Sequence, residues 1–200
     1  MGGWRTIMAG MPTLESSRHS KLPSRIRLIG YRGTGKSAVA QALALRLGWD
    51  WVDADVELEL RAGKSIAQIF SDDGEPAFRD LENAILAELA ARERTVLATG
   101  GGVVMRAGNC KLLRDRAAVV WLKARPETIL NRLSNDWTTV SRRPNLTTGG
   151  LDEIREMLDN RTPLYRECAD FAVDTDEKTV AEVAGEILDQ LPAPATDVDL

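Results

Sequence analysis

The chemistry in this chain starts at Gly30-Tyr31-Arg32-Gly33-Thr34-Gly35-Lys36-Ser37, a glycine, four residues, then Gly-Lys-Ser. This is the spacing of a phosphate-binding loop. Its glycines let successive backbone N–H groups turn inward around phosphate oxygens, and a helix starting there adds the positive end of its dipole. Lys36 then reaches the outer phosphates, and the Ser37 hydroxyl ligates Mg²⁺. Residues Gly33, Thr34, Gly35, Lys36, Ser37 and Ala38 also satisfy the looser dinucleotide pattern G-x-G-x-x-A, with an acidic residue about twenty positions on. That rival pattern gives no reason for the Lys36-Ser37 pair or for Gly30. A purely structural glycine turn is the third reading.

Further candidates follow in chain order. Asp53 and Asp55 close the segment Trp49 to Asp55. If the strand runs through them, residues two apart project to the same side, at the edge where open α/β sheets bind ligands. There one carboxylate helps hold Mg²⁺ and the other contacts an acceptor hydroxyl. Alternatively Asp55 is the N-cap of a helix from Val56 to Ala62. Glu75, Arg79 and Glu82 lie four and three apart on one helical face. They form either a surface ion-pair ladder or an arginine held by carboxylates to clamp an anionic group. Gly100-Gly101-Gly102 ends a strand, as a tight turn or as a place where a ligand approaches the backbone closely. Arg142-Arg143-Pro144 sits in an aperiodic stretch, 135 to 150, that reads as a lid or binding loop; a solvated basic loop is the alternative. Basic residues on a lid neutralise phosphate charge in the transition state.

The elements that must position these groups alternate. Ile26 to Ile29, broken by Arg27, reads as a buried strand, followed by a helix from Ala38 to Leu47 with Val39, Leu43 and Leu47 at helical spacing. Trp49 to Asp53 reads as the second strand, with both tryptophans as packing residues. Ser65 and Gln68 form a capping-box signal for a short helix through Phe70, and a longer helix runs to about Ala91. Thr95 to Ala98 and Ala118 to Leu122 read as strands, and Pro126 opens a helix to Leu133. Leu151 to Asn160 is an amphipathic helix, Phe171 to Val173 a last strand, and Thr179 with Glu182 caps a helix to about Gln190. Such alternation predicts an α/β fold, helices on both faces of a mostly parallel, five-stranded sheet.

The 200 residues, 44% hydrophobic and 28% charged, suit one domain over 24–190. Residues 1–23 read as a disordered extension, with a basic transit-type peptide or an upstream start as other readings, and 191–200 as a loose tail. A net charge of -4 without a basic block argues against a nucleic-acid partner, and no run approaches a membrane span. Cys110 and Cys168, in no metal-ligand spacing, read as free thiols of a cytoplasmic protein. His19, the single histidine, lies in the N-terminal extension, which excludes histidine-based acid–base chemistry and histidine metal sites.

Together these motifs resemble the shikimate kinase family of P-loop folds. The similarity covers about Ile26 to Gln190: the loop Gly30 to Ser37, Asp53-Ala-Asp55, Gly74-Glu75-x-x-Phe78-Arg79-x-x-Glu82, the triple glycine, Arg143-Pro144, and Arg161-x-Pro-x-Tyr165. It implies a three-layer α/β/α sandwich with a mobile lid, ATP and Mg²⁺ as cofactors, shikimate as the small-molecule partner, and a monomer. It further implies that Asp55 orients or deprotonates the attacking hydroxyl, and that Arg79 and Arg161 clamp the shikimate carboxylate beside Gly100, Gly101 and Gly102. Asp53 supports Mg²⁺ with Ser37, and Arg143 is the lid arginine that reaches the ATP phosphates. The reaction implied is transfer of the γ-phosphoryl to the 3-hydroxyl. Two departures concern the lid: Asn145 follows Arg143-Pro144 where the family commonly has leucine, and Asp136 stands where some members carry an arginine near adenine. Arg132 is the candidate substitute there, and Arg142 for Arg143. A kinase for another hydroxylated acid and a non-catalytic nucleotide-binding module remain as rival functions.

Overall fold

The structure is a computed structural model that describes residues 23–135 and 150–191. Strands β1 (Arg25–Ile29), β2 (Asp50–Asp53), β3 (Thr95–Ala98), β4 (Ala118–Lys123) and β5 (Phe171–Asp174) form one sheet. Its order is β2-β3-β1-β4-β5, and every neighbouring pair is parallel. Parallel neighbours demand crossovers, and helices supply them: α1 (Lys36–Leu47), α2 (Ala54–Ala62), α3 (Ile66–Asp72), α4 (Gly74–Ala90), α5 (Ala107–Arg114), α6 (Pro126–Asn135) and α7 (Gly150–Cys168), while α8 (Val180–Gln190) follows the last strand.

Side chains alternate across the strands, so the sheet has two cores. Ile26, Leu28, Val96, Val120 and Val173 pack with Val39 and Leu43 of α1 and Val183 and Ile187 of α8. Leu97, Val119 and Trp121 face the other way, onto Leu58, Phe78, Leu86, Leu113 and Tyr165. A smaller cluster of Tyr31, Ile129, Leu133 and Ile154 joins the first loop to α6 and α7. The result is three layers, helices–sheet–helices.

The topology locates the site. The chain leaves β1 toward α1 on one face, and leaves β3 toward α5 on the other, while β1 and β3 are neighbours. Adjacent strands whose connections depart to opposite faces open a crevice beyond their carboxyl ends. The two glycine loops border that crevice.

Several local expectations change. The amphipathic helix does not stop at Asn160 but runs to Cys168 with Pro163 inside it. Proline removes one backbone donor, and buried Tyr165, stacked on Trp121 at 5.7 Å between ring centroids, anchors the turn beyond it. Helix α5 and the 3₁₀ turn Val103–Met105 before it carry no capping signal in the sequence. Trp49 packs against the first core, whereas Trp51, on the edge strand β2, is 42% exposed. Leu191, assigned to the loose tail, is buried in that same core. The extension, the rest of the tail and the lid interior, residues 136–149, lie outside the described residues.

Candidate active site

The first loop has the geometry its glycines require. Gly33 and Gly35 sit at φ 76° and 89°, in the left-handed region that favours glycine. A Cβ on Gly30 (φ 138°) would lie 2.3 Å from the Leu122 carbonyl oxygen. Thr34 is buried and donates its hydroxyl to the Tyr31 carbonyl at 2.7 Å, holding the turn closed. Helix α1 begins at Lys36, so its free N–H groups open onto the crevice. Lys36 Nζ folds back over the loop, donating to the carbonyls of Gly30 (2.9 Å) and Tyr31 (2.8 Å).

Across the crevice stands the end of β2. The Ser37 hydroxyl donates to Asp53 Oδ2. Asp53 Oδ1 accepts from the backbone N–H of Asp55 (2.9 Å) and Val56 (3.2 Å), so Asp53 is the N-cap of α2. The cap considered for Asp55 therefore belongs to Asp53, and the helix starts two residues earlier than expected. Asp55 lies in the helix's first turn rather than on a strand, so strand alternation is not what aims the two carboxylates together. A cleft of about 350 Å³ brings together Gly33, Gly35, Lys36, Ser37 and Ala38 with Asp53, Asp55 and Gly101.

The triple glycine explains itself through its neighbours. A Cβ on Gly100 would stand 2.6 Å from Asp55 Oδ1 and 3.0 Å from Glu82 Oε1. On Gly102 it would stand 2.7 and 2.9 Å from Arg79 Nη1 and Nη2, and on Gly101 3.1 Å from the Arg32 backbone nitrogen. None of the three has a positive φ. The tight turn is also there, closed by the Val103 N–H donating to the Gly100 carbonyl at 3.2 Å. With no positive φ it does not itself require glycine; the closing of α2, α4 and the first loop on these residues does.

Arg79 is more than a surface ladder. Its Nη1 donates to Glu82 Oε2 at 2.8 Å, and Glu82 is only 6% exposed. Its Nε and Nη2 share Glu75 Oε1 at 3.2 and 3.0 Å, and the guanidinium lies 5.0 Å from the Phe78 ring centroid. Burial works against its charge, but the facing Glu82 and Glu75 carboxylates outweigh burial and raise its pKa.

Two side chains of α7 converge on one acceptor. Arg161 Nη1 donates to the Gly101 carbonyl at 3.3 Å, and the buried Tyr165 hydroxyl donates to the same oxygen. Burial pushes the Tyr165 phenol up, so it stays a donor throughout the ordinary pH range. Arg161 also lies 5.5 Å from the Tyr31 ring centroid, which ties it to the phosphate-loop side. Two contributions were not readable from residue types. Asn109, fully buried, donates to the Val103 carbonyl at 2.8 Å and accepts from Asn83 at 2.6 Å, fixing the turn after the triple glycine. Arg132 lines the cleft while bonding the Thr175 carbonyl (2.7 Å) and the Gly33 carbonyl (3.3 Å). A lone Asn on a short helix carries no signal; Arg132 stood out only as a substitute for the residue at 136. Arg143 and Arg142 lie outside the described residues.

The shikimate kinase family profile matches residues 32–192, most of the chain. The chain belongs to the shikimate kinase family. A shikimate kinase of Rhodopirellula baltica is 41% identical over 179 residues, covering 89% of this chain and 96% of that protein. One of Pseudomonas fluorescens is 46% identical over 165 residues, covering 82% and 94%. Among solved structures, the shikimate kinase of Acinetobacter baumannii in complex with shikimate superposes with a TM-score of 0.79 at 37% identity, over 86% of this chain and 94% of that one. The shikimate kinase of Aquifex aeolicus superposes at 0.70 with 36% identity, over 82% and 94%. Members of the family are ATP-dependent kinases that use Mg²⁺. The donors facing the crevice fit that ion: Ser37 and Asp53 offer hard oxygens. Among the described residues there is no group of three or more His, Cys, Asp or Glu that could hold a metal ion.

Proposed function

We propose that this chain transfers the γ-phosphoryl group of Mg·ATP to the 3-hydroxyl of shikimate, releasing ADP and shikimate 3-phosphate, with the residue roles that follow. The carrying observation is the convergence at Gly100 and Gly102: a carboxylate and a guanidinium meet across a backbone bared of side chains, beside a phosphate loop. That is the complement of a small molecule with a hydroxyl to be activated and a carboxylate to be held.

Gly33, Thr34, Gly35, Lys36, Ser37 and Ala38 cradle the phosphates. Lys36 gives up its two loop carbonyls to reach the transferred group, where its charge counts most as negative charge shifts in the transition state. Ser37 and Asp53 would hold Mg²⁺, which would supply Lewis-acid charge neutralisation to the phosphates. Asp55 orients the attacking hydroxyl and takes its proton as the new O–P bond forms and the bond to the β-phosphate oxygen breaks. Arg79 and Arg161 clamp the substrate carboxylate over Gly100, Gly101 and Gly102, fixing the ring for in-line attack. Arg143 supplies the lid charge. We read the chain as a cytoplasmic monomer without membrane or nucleic-acid partners, on its net charge of -4 and its free thiols Cys110 and Cys168; among the described residues no helix is long and apolar enough to cross a membrane.

A coupled ADP-release assay with Mg·ATP and shikimate, gluconate, quinate or no acceptor tests the reading. Release with shikimate alone is expected. Release with another acid removes the Arg79–Arg161 clamp assignment, and ATP binding without release for any acceptor makes the chain a nucleotide-binding module.

A further inference from the structure

Arg79 carries two carboxylates where its charge needs one, and they differ in kind. Glu82 is 6% exposed and bound to Nη1, so it has no water to swing into. Glu75 is 62% exposed, in the first turn of α4, and one of its oxygens takes both Nε and Nη2. A carboxylate binds guanidinium best along an edge that offers two parallel N–H groups. Arg79 has two such edges. The end edge, Nη1 with Nη2, abuts Gly102: both nitrogens are nearer that glycine's Cβ position (2.7 and 2.9 Å) than Cζ is (3.1 Å). The side edge, Nε with Nη2, is held by Glu75. An incoming carboxylate therefore gains a two-donor edge by displacing the one group free to leave.

We propose that Glu75 is a place-holder for the substrate carboxylate, occupying the side edge of Arg79 until an anionic substrate replaces it and thereby setting the affinity of the site. The proposal rests on the reading of Arg79 as the carboxylate clamp. Exchange of one carboxylate for another leaves the guanidinium paired at every stage, so Arg79 stays extended over Gly102 when the site is empty. The same exchange runs backward when product, which keeps the carboxylate, departs. Affinity is lower than a bare guanidinium would give, by the strength of a largely exposed ion pair.

The test is shikimate binding by calorimetry, with steady-state KM, for the full-length protein and for Glu75→Gln, Arg79→Ala and the double variant. Glu75→Gln is expected to lower the shikimate Kd and KM about threefold, the reach of an exposed pair. In the Arg79→Ala background the same change is expected to do nothing, because the two residues act through one contact. A higher or unchanged Kd in Glu75→Gln overturns the proposal, since Glu75 would then hold Arg79 in place or be irrelevant to it. An equal gain in the Arg79→Ala background also overturns it, assigning the effect to the general field. If Arg79→Ala does not weaken shikimate binding, the clamp reading itself falls and takes the place-holder with it.

Discussion

Gly102→Ala isolates the substrate clamp from the stability of the fold. Gly102 has φ −100° and ψ 3°, a conformation alanine adopts, so the substitution carries little backbone strain. It also removes freedom from the unfolded chain, an effect worth about 0.4–1 kcal/mol in favour of folding. The added methyl stands 2.7 Å from Arg79 Nη1, and ordinary contact begins at 3.4 Å, so the guanidinium must retreat by about 0.7 Å. The end of an arginine can move that far, but here Glu82 and Glu75 hold it on two sides. The retreat carries the Nη1–Nη2 end of the guanidinium away from Gly102. Losing a charge-assisted hydrogen bond is worth about 1.5–3 kcal/mol, which at 1.4 kcal/mol per decade predicts a shikimate KM raised about 10- to 100-fold. The ATP KM and the melting temperature should change little, since the methyl does not reach the phosphate loop. Steady-state kinetics with each substrate varied, beside a thermal melt, checks this. A folded variant with an unchanged shikimate KM would refute the clamp geometry, and a collapsed melt would show that the methyl strikes the core.

Three further outcomes follow from the same geometry. Asp53→Asn keeps the α2 cap, because asparagine caps about as well as aspartate, but removes the charge facing Ser37; the Mg²⁺ concentration for half-maximal rate should rise about tenfold while a thermal melt stays near wild type. Arg27→Met should lower the melting temperature without changing kcat/KM at 25 °C. Its guanidinium donates to the carbonyls of Ala90 (2.6 Å) and Thr95 (3.3 Å), far from the glycine loops. Leaving the Ala90 carbonyl without its side-chain donor removes about 1–3 kcal/mol, or several degrees at about 2–4 °C per kcal/mol. Arg143→Ala should reduce kcat about a hundredfold with a smaller effect on shikimate Kd; the same loss in Arg142→Ala alone would move the lid role by one residue.

What could be read in the sequence was the local part. The Gly-Lys-Ser loop carries its own reason, because left-handed glycines and a helix start are properties of neighbouring residues. So do the capping boxes at Ser65–Gln68 and Thr179–Glu182, both of which form. Strand and helix alternation was enough to anticipate a parallel, five-stranded sheet. What escaped depends on partners distant in the chain. Proline at 163 argues for a helix end, yet the contacts of Tyr165 with Trp121 and Gly101 carry α7 past it. Arg27 interrupts an apolar run and looks like a flaw in a buried strand. It is fully buried nonetheless, because the C-terminal end of α4 presents a carbonyl to it, and burial holds its pKa at about 10. Whether Asp55 ends a strand or caps a helix turned on where β2 ends, and a spacing of two cannot decide that; the strand ends at Asp53, which is itself the cap.

The triple glycine marks the boundary between the two kinds of information. Its sequence says only that something comes close. Which side chains come close is decided by β1 and β3 lying side by side with connections to opposite faces. That arrangement brings the first turn of α2 over Gly100 and the body of α4 over Gly102, while the first loop abuts Gly101. Gly102 answers to Arg79 of α4 and Gly101 to the first loop, whereas Gly100 answers to Asp55 of α2 and Glu82 of α4 together. Enlarging Gly102 therefore tests the carboxylate end and enlarging Gly101 the loop contact through Arg32, while enlarging Gly100 presses at once on the hydroxyl end through Asp55 and on Glu82, the partner of Arg79.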